Sequence, residues 1–150
     1  MVDKIRVVGD DRQNLRLNVD DGTVLSADKD LNPGMPAVVA AGYESSSFSF
    51  AQPAATTLHV VHSASDTLFT QAPPNDGTLT NPRPLRVDVG PDTGFDIAGA
   101  DNAGFLSDAT PGRGTSLYKV DLQTGRTRSL GRVGGGRRLV ITGLAARQDG

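Results

Sequence analysis

Leu15-Arg16-Leu17-Asn18-Val19-Asp20-Asp21-Gly22 is the stretch that decides how this chain is read. Leu15, Leu17 and Val19 alternate with polar residues, the period-two pattern of a strand with one packed face. Asp21-Gly22 then offers a tight-turn pair, because glycine takes up positive φ without a steric penalty. A second strand at residues 23–27 follows. The same order of events recurs in His59-Val60-Val61-His62-Ser63-Ala64-Ser65-Asp66 and in Tyr118-Lys119-Val120-Asp121-Leu122-Gln123-Thr124-Gly125. In each, a polar turn closes five residues after the inner apolar residue, Leu17, Val61 or Val120. The intervals of 44 and 59 residues between the three copies are close to the length of a propeller blade but unequal.

Working outward, eighteen glycines and nine prolines punctuate the chain in small clusters at short intervals, the spacing of strands and turns. No window of about a dozen residues keeps the i, i+3, i+4, i+7 apolar spacing of an amphipathic helix. The expected class is all-β, with strands at 4–8, 14–19, 23–27, 37–43, 56–62, 67–71, 85–89, 94–98, 103–106, 116–121, 127–132 and 139–144. The expected core is Ile5, Val7, Leu15, Leu17, Val39, Leu58, Val60, Leu68, Phe95, Ile97, Leu117, Val120, Ile141 and Leu144, the alternation points of those strands.

An apolar fraction of 37% over 150 residues suffices for one domain, residues 1–150, with a modest core. A net charge of −2 gives no general attraction to nucleic acid or to an anionic membrane, and no apolar run approaches the ~18–20 residues of a membrane span. The chain has no cysteine, which removes disulfides, thiolate metal sites and a cysteine nucleophile. Asp3, Lys4, Arg6, Asp10 and Asp11 break every hydrophobic stretch at the start, so no signal-peptide pattern is read in this chain. Residues 1–100 carry 7 basic and 13 acidic groups, residues 101–150 carry 8 and 4. The front is acidic and the back basic.

In Arg6 to Asn18, Pro74-Asn75-Asp76-Gly77-Thr78-Leu79, Gly94-Phe95-Asp96-Ile97-Ala98 and Leu117-Tyr118-Lys119-Val120-Asp121, the chain resembles the bacterial family catalogued as domain of unknown function 4394, over nearly its whole length. The resemblance implies a β-propeller of several blades, often in exported bacterial proteins, with no activity attached to the family. The family domain is longer, and the chain lines up with its later portion, starting inside a blade at Asp3-Lys4-Ile5-Arg6. About three blades are implied, with residues 139–144 as the strand that returns to complete the first.

Several residue sets invite chemistry. His59 and His62 are metal-ligand types, but residues three apart on a strand face opposite sides of the sheet. Asn18 to Gly22 lacks the acidic spacing and the later bidentate glutamate of a calcium loop. Pro111-Gly112-Arg113-Gly114-Thr115-Ser116 and Gly134-Gly135-Gly136-Arg137-Arg138 lack the Lys-Ser/Thr ending of a phosphate loop. No metal and no cofactor is expected. Arg126, Arg128, Arg132, Arg137 and Arg138 have no interleaved aromatics, so they read as a solvated or interface face. Asp88, Asp92 and Asp96 could supply an acid and a base; Asp96, in Gly94-Phe95-Asp96, reads more simply as an anchor accepting backbone amide protons.

Arg6, Asn14, Arg16 and Asn18 alternate with Ile5, Val7, Leu15 and Leu17 and so project together on the opposite face. They read either as cross-strand polar pairs or, with Asp96, as contacts for a glycan or a small anionic ligand. The functional expectation is a non-catalytic binding or scaffold module that closes a ring with copies of itself, a dimer giving about six blades, with neither nucleic acid nor membrane as partner. The rival is a carboxylate-dependent hydrolase or lyase with its site in the propeller funnel.

Overall fold

The computed structural model describes residues 4–44, 55–99, 101–110, 112–134 and 139–147. They form three antiparallel sheets in which each strand pairs with its neighbour in sequence. Sheet 1 has three strands, β1 (Ile5–Val8), β2 (Asn14–Leu17) and β3 (Val24–Ala27). Sheet 2 has four, β4 (Val38–Tyr43), β5 (Leu58–His62), β6 (Thr67–Gln71) and β7 (Leu79–Pro84). Sheet 3 also has four, β8 (Thr93–Ile97), β9 (Gly104–Thr110), β10 (Gly114–Val120) and β11 (Thr127–Arg132). The all-β expectation holds. Among the described residues there is no α-helix, hence no helix long and apolar enough to cross a membrane, and the three sheets do not close into a barrel or a propeller.

Sheets 2 and 3 pack through an apolar core of Val61, Leu68, Leu85, Val89, Phe95, Ile97, Leu106, Val120 and Leu122. Their first strands run against one another, with Gly42 of β4 lying over Phe95, Asp96 and Ile97 of β8. A Cβ there would lie 3.4 Å from Asp96 Cα and from the Phe95 and Ile97 side chains, so alanine would just fit and a side chain longer than alanine would push the strands apart. The other face of sheet 2 carries a second cluster, Leu31, Val38, Leu58, Val60 and Leu79, which Val8 of sheet 1 joins from the side.

Three expectations are corrected. Ile5 (47% exposed) and Val7 (39% exposed) lie outside the core, and Leu15, Leu17, Val39, Leu117, Ile141 and Leu144 are only half-buried. Sheet 1 turns its polar face, not its apolar one, toward sheet 2. The strand expected at 85–89 is instead the turn after β7, whose Leu85 and Val89 plug the space between sheets 2 and 3. β7 itself contains Pro82 and Pro84 and sits at the outer edge of its sheet, where a missing N–H costs no ladder bond. Residues 139–147 form no strand among the described residues and cross the outer face of sheet 3, where Thr115 Oγ1 donates to Leu139 O and accepts the Ile141 N–H.

Candidate functional site

Arg6 and Arg16 occupy directly paired positions on β1 and β2, an arrangement that places two like charges side by side and is unfavourable by itself. Asp28, just beyond β3, resolves it. Its carboxylate accepts Arg6 Nη1 at 3.1 Å on Oδ2, Arg16 Nε at 2.9 Å on Oδ2, and Arg16 Nη2 at 2.8 Å and Ser26 Oγ at 2.9 Å on Oδ1. The side chains of Arg6 and Asp28 are 8% and 5% exposed, that of Arg16 35%. Burial alone raises the Asp28 carboxyl, but the bonds from Arg16 and Ser26, the Arg16 charge and the Arg6 bond outweigh it and hold the pKa below the ordinary carboxylate value. The bond to Asp28 likewise raises Arg16.

This network joins sheet 1 to sheet 2. Arg6 also donates to Tyr43 Oη at 3.0 Å, Asn75 Oδ1 at 2.6 Å and the Pro74 carbonyl at 3.3 Å, and to Asn14 Oδ1. The fully buried Asn14 donates to the carbonyls of Lys29 at 3.0 Å and Pro74 at 2.9 Å. Gln71, from β6, donates to Asn14 Oδ1 at 3.2 Å and to the Pro74 carbonyl at 2.7 Å, while its own Oε1 has no partner among the described residues. Two guanidinium groups against one carboxylate leave the cluster cationic, and Arg16 is its exposed end.

Of the five sequence-derived candidates, the fold therefore brings Arg6, Asn14 and Arg16 together. Asn18 lies past the end of β2, where its Oδ1 accepts the Asp20 N–H at 3.1 Å and shapes the hairpin turn. Asp96 is on the far side of sheet 3, accepting the N–H groups of Ile97 and Ala146, both at 2.8 Å. Asp28 was legible in principle, since Arg16 pairs with Ser26 and position 28 shares that face. Gln71, Tyr43 and Asn75 come from another sheet, and no local pattern announces them.

A second polar cluster lies within sheet 2. Arg83 donates to Leu122 O at 2.6 Å, to Thr70 Oγ1 at 2.7 Å and to His59 Nδ1 at 3.3 Å, while His59 Nε2 meets Glu44 Oε2 at 3.3 Å. Burial, and then the Arg83 charge, push the His59 pKa below its ordinary value against the pull of Glu44. His62 packs instead edge-on against Phe69, ring centroids 5.9 Å apart. Among the described residues no group of three or more His, Asp or Glu side chains is placed to hold a metal ion. Pro111 and residues 135–138, and with them most of the second glycine-rich stretch and Arg137 and Arg138, lie outside the described residues.

Two open grooves accompany these clusters. One, of about 450 Å³, runs along sheet 3 between Ala98, Asp101, Phe105, Leu117, Leu144 and Arg147. The other, of about 310 Å³, lies between Pro33, Met35, Pro36, His62, Phe69 and Pro82. Compared with known protein families, the chain matches the model of the Domain of unknown function (DUF4394) over residues 1–145. The chain belongs to this family. No curated protein and no solved structure matches this DUF4394 chain. In this DUF4394 domain the Arg6–Asp28–Arg16 network joins residues of the 6–18 and 74–79 segments to Asp28, Tyr43 and Gln71.

Proposed function

We propose that the chain is a sector of a β-propeller, about three blades of a ring closed by a second copy, and that it serves as a non-catalytic binding or scaffold module. The observation that carries the reading is the stack of sheets. Two four-stranded antiparallel meanders pack face to face with β4 against β8, and such units repeated around an axis build a propeller. The outward face of sheet 1 supports closure: Ile5, Val7 and Leu25 lie uncovered there, and contiguous exposed apolar surface marks an interaction site. The exposed acids Asp10, Asp11, Asp20 and Asp21 at the sheet 1 end and the exposed Arg126, Arg128 and Arg132 at the sheet 3 end favour front-to-back contact. A twofold axis through the ring centre makes two such contacts and leaves no open end.

Arg16, the exposed end of the cationic network, is the contact for an anionic or glycan ligand. Against the hydrolase or lyase reading stands Asp96, whose two oxygens are each engaged by a backbone N–H. A glycan array followed by turnover assays on the same sugars tests the reading. Binding without turnover, weakened by Arg16→Ala, is expected; turnover abolished by Asp88→Asn, Asp92→Asn or Asp96→Asn would overturn it.

A further inference from the structure

Residues 143–147 run along β8, in the same direction, on the face turned away from β4. Gly94 abuts the Gly143–Leu144 peptide, the Asp96 carboxylate accepts the Ala146 N–H at 2.8 Å, and the Gly99 N–H meets Arg147 O at 3.4 Å. On the opposite face of β8, Gly42 of β4 lies over Phe95, Asp96 and Ile97, a Cβ there falling 3.4 Å from each, a looser approach than that of Gly94 to the tail. β4, β8 and the tail are therefore three successive members of one series. The first two each begin a four-stranded sheet, and residues 143–147 are assigned to none of the three sheets.

Sheet 1 shows the complementary gap. Its β2–β3 hairpin matches the β10–β11 hairpin bond for bond. Asn18 N–H donates to Thr23 O at 2.9 Å and Gly22 N–H to Asn18 O at 3.0 Å; Asp121 N–H donates to Arg126 O at 2.9 Å and Gly125 N–H to Asp121 O at 2.8 Å. In both turns the first side chain accepts the amide two residues on, and the glycine has φ near +70° (71° and 73°). Equating the hairpins equates β1 with β9, so among the described residues sheet 1 shows no counterpart of β8. Among the described residues β1 pairs only with β2, leaving a row of unpaired N–H and C=O groups on its other edge.

We propose that residues 143–147 of one copy are the innermost strand of sheet 1 of the second copy, so that one blade at each junction is built from two chains. This rests on the ring reading above and supplies its joint. Peptide groups of the tail satisfy the open edge of β1 by strand addition. The uncovered Ile5, Val7 and Leu25 then settle on the apolar walls of the sheet 3 groove, Phe105, Leu117 and Leu144.

The chain has no cysteine, so introduced thiols report cleanly. A Val7→Cys chain mixed with an Ala145→Cys chain and treated with a short bismaleimide should yield a covalent pair of twice the chain mass. Deleting residues 139–150, which also removes position 145, should lower the light-scattering mass of the cysteine-free chain to one protomer. A dimer that survives the deletion, together with no cross-link between the full-length Val7→Cys and Ala145→Cys chains, would overturn the shared blade while leaving the ring. A full-length chain that is monomeric and does not cross-link would overturn both.

Discussion

Gly94 and Leu144 meet backbone to backbone: a Cβ on Gly94 would lie 2.7 Å from the Leu144 nitrogen and 2.9 Å from the Gly143 carbonyl carbon. Sheet 3 is held on its other face by the apolar core, whereas the tail is held by a few hydrogen bonds, so the tail is what must give way. Gly94→Ala should therefore leave the sheets intact and speed amide hydrogen exchange in residues 141–147. Unchanged tail protection would contradict this packing.

Among the described residues Asp28 is the only carboxylate bonded to the Arg6 guanidinium, and both side chains are buried. Removing it leaves a buried cation uncompensated, a change that costs about 3–5 kcal/mol. Asp28→Ala should lower unfolding stability by that order in urea titrations. Arg16→Ala, at the exposed end of the same network, should cost much less, and equal losses would show that the burial of Arg6 is not what matters.

His59 titrates below its ordinary value in the folded chain, so the unfolded chain binds the extra proton first as the pH falls. Stability from this group is fully present above about pH 6.5 and is lost as the pH drops through the window between that value and the lower folded one. Asp28, also depressed, adds a further loss below about pH 3.8. Melting temperature measured from pH 7.5 down to 5 should decline in the parent chain, and His59→Gln should flatten that decline.

Leu68 and Leu106 are fully buried between sheets 2 and 3, and truncating either to Ala should cost about 2–5 kcal/mol. Ile5→Ser touches a face that is open in the single chain. It should leave the unfolding midpoint of a dilute sample nearly unchanged while weakening self-association, and a loss as large as that of Leu68→Ala would place Ile5 in the core after all.

Alternation sorted sheet 1 correctly into Arg6, Asn14 and Arg16 on one face and Ile5, Val7, Leu15 and Leu17 on the other. It does not say which face is packed. The ordinary preference for apolar burial points the wrong way here, because Asp28, Gln71 and the Pro74 carbonyl, all remote from β1, supply the partners that make a polar interior tolerable. Leu85 and Val89 were recognisable as apolar but not as a plug, since a buried turn and a short strand share one composition. The unequal spacing of the sequence repeat has a similar cause: His59 belongs to the second strand of its sheet, whereas Tyr118 belongs to the third.

Multi-angle light scattering of the full-length chain at micromolar concentration puts the ring reading to its most direct trial. A particle of twice the 15.6 kDa chain mass is expected. A stable 15.6 kDa monomer across that range would contradict it.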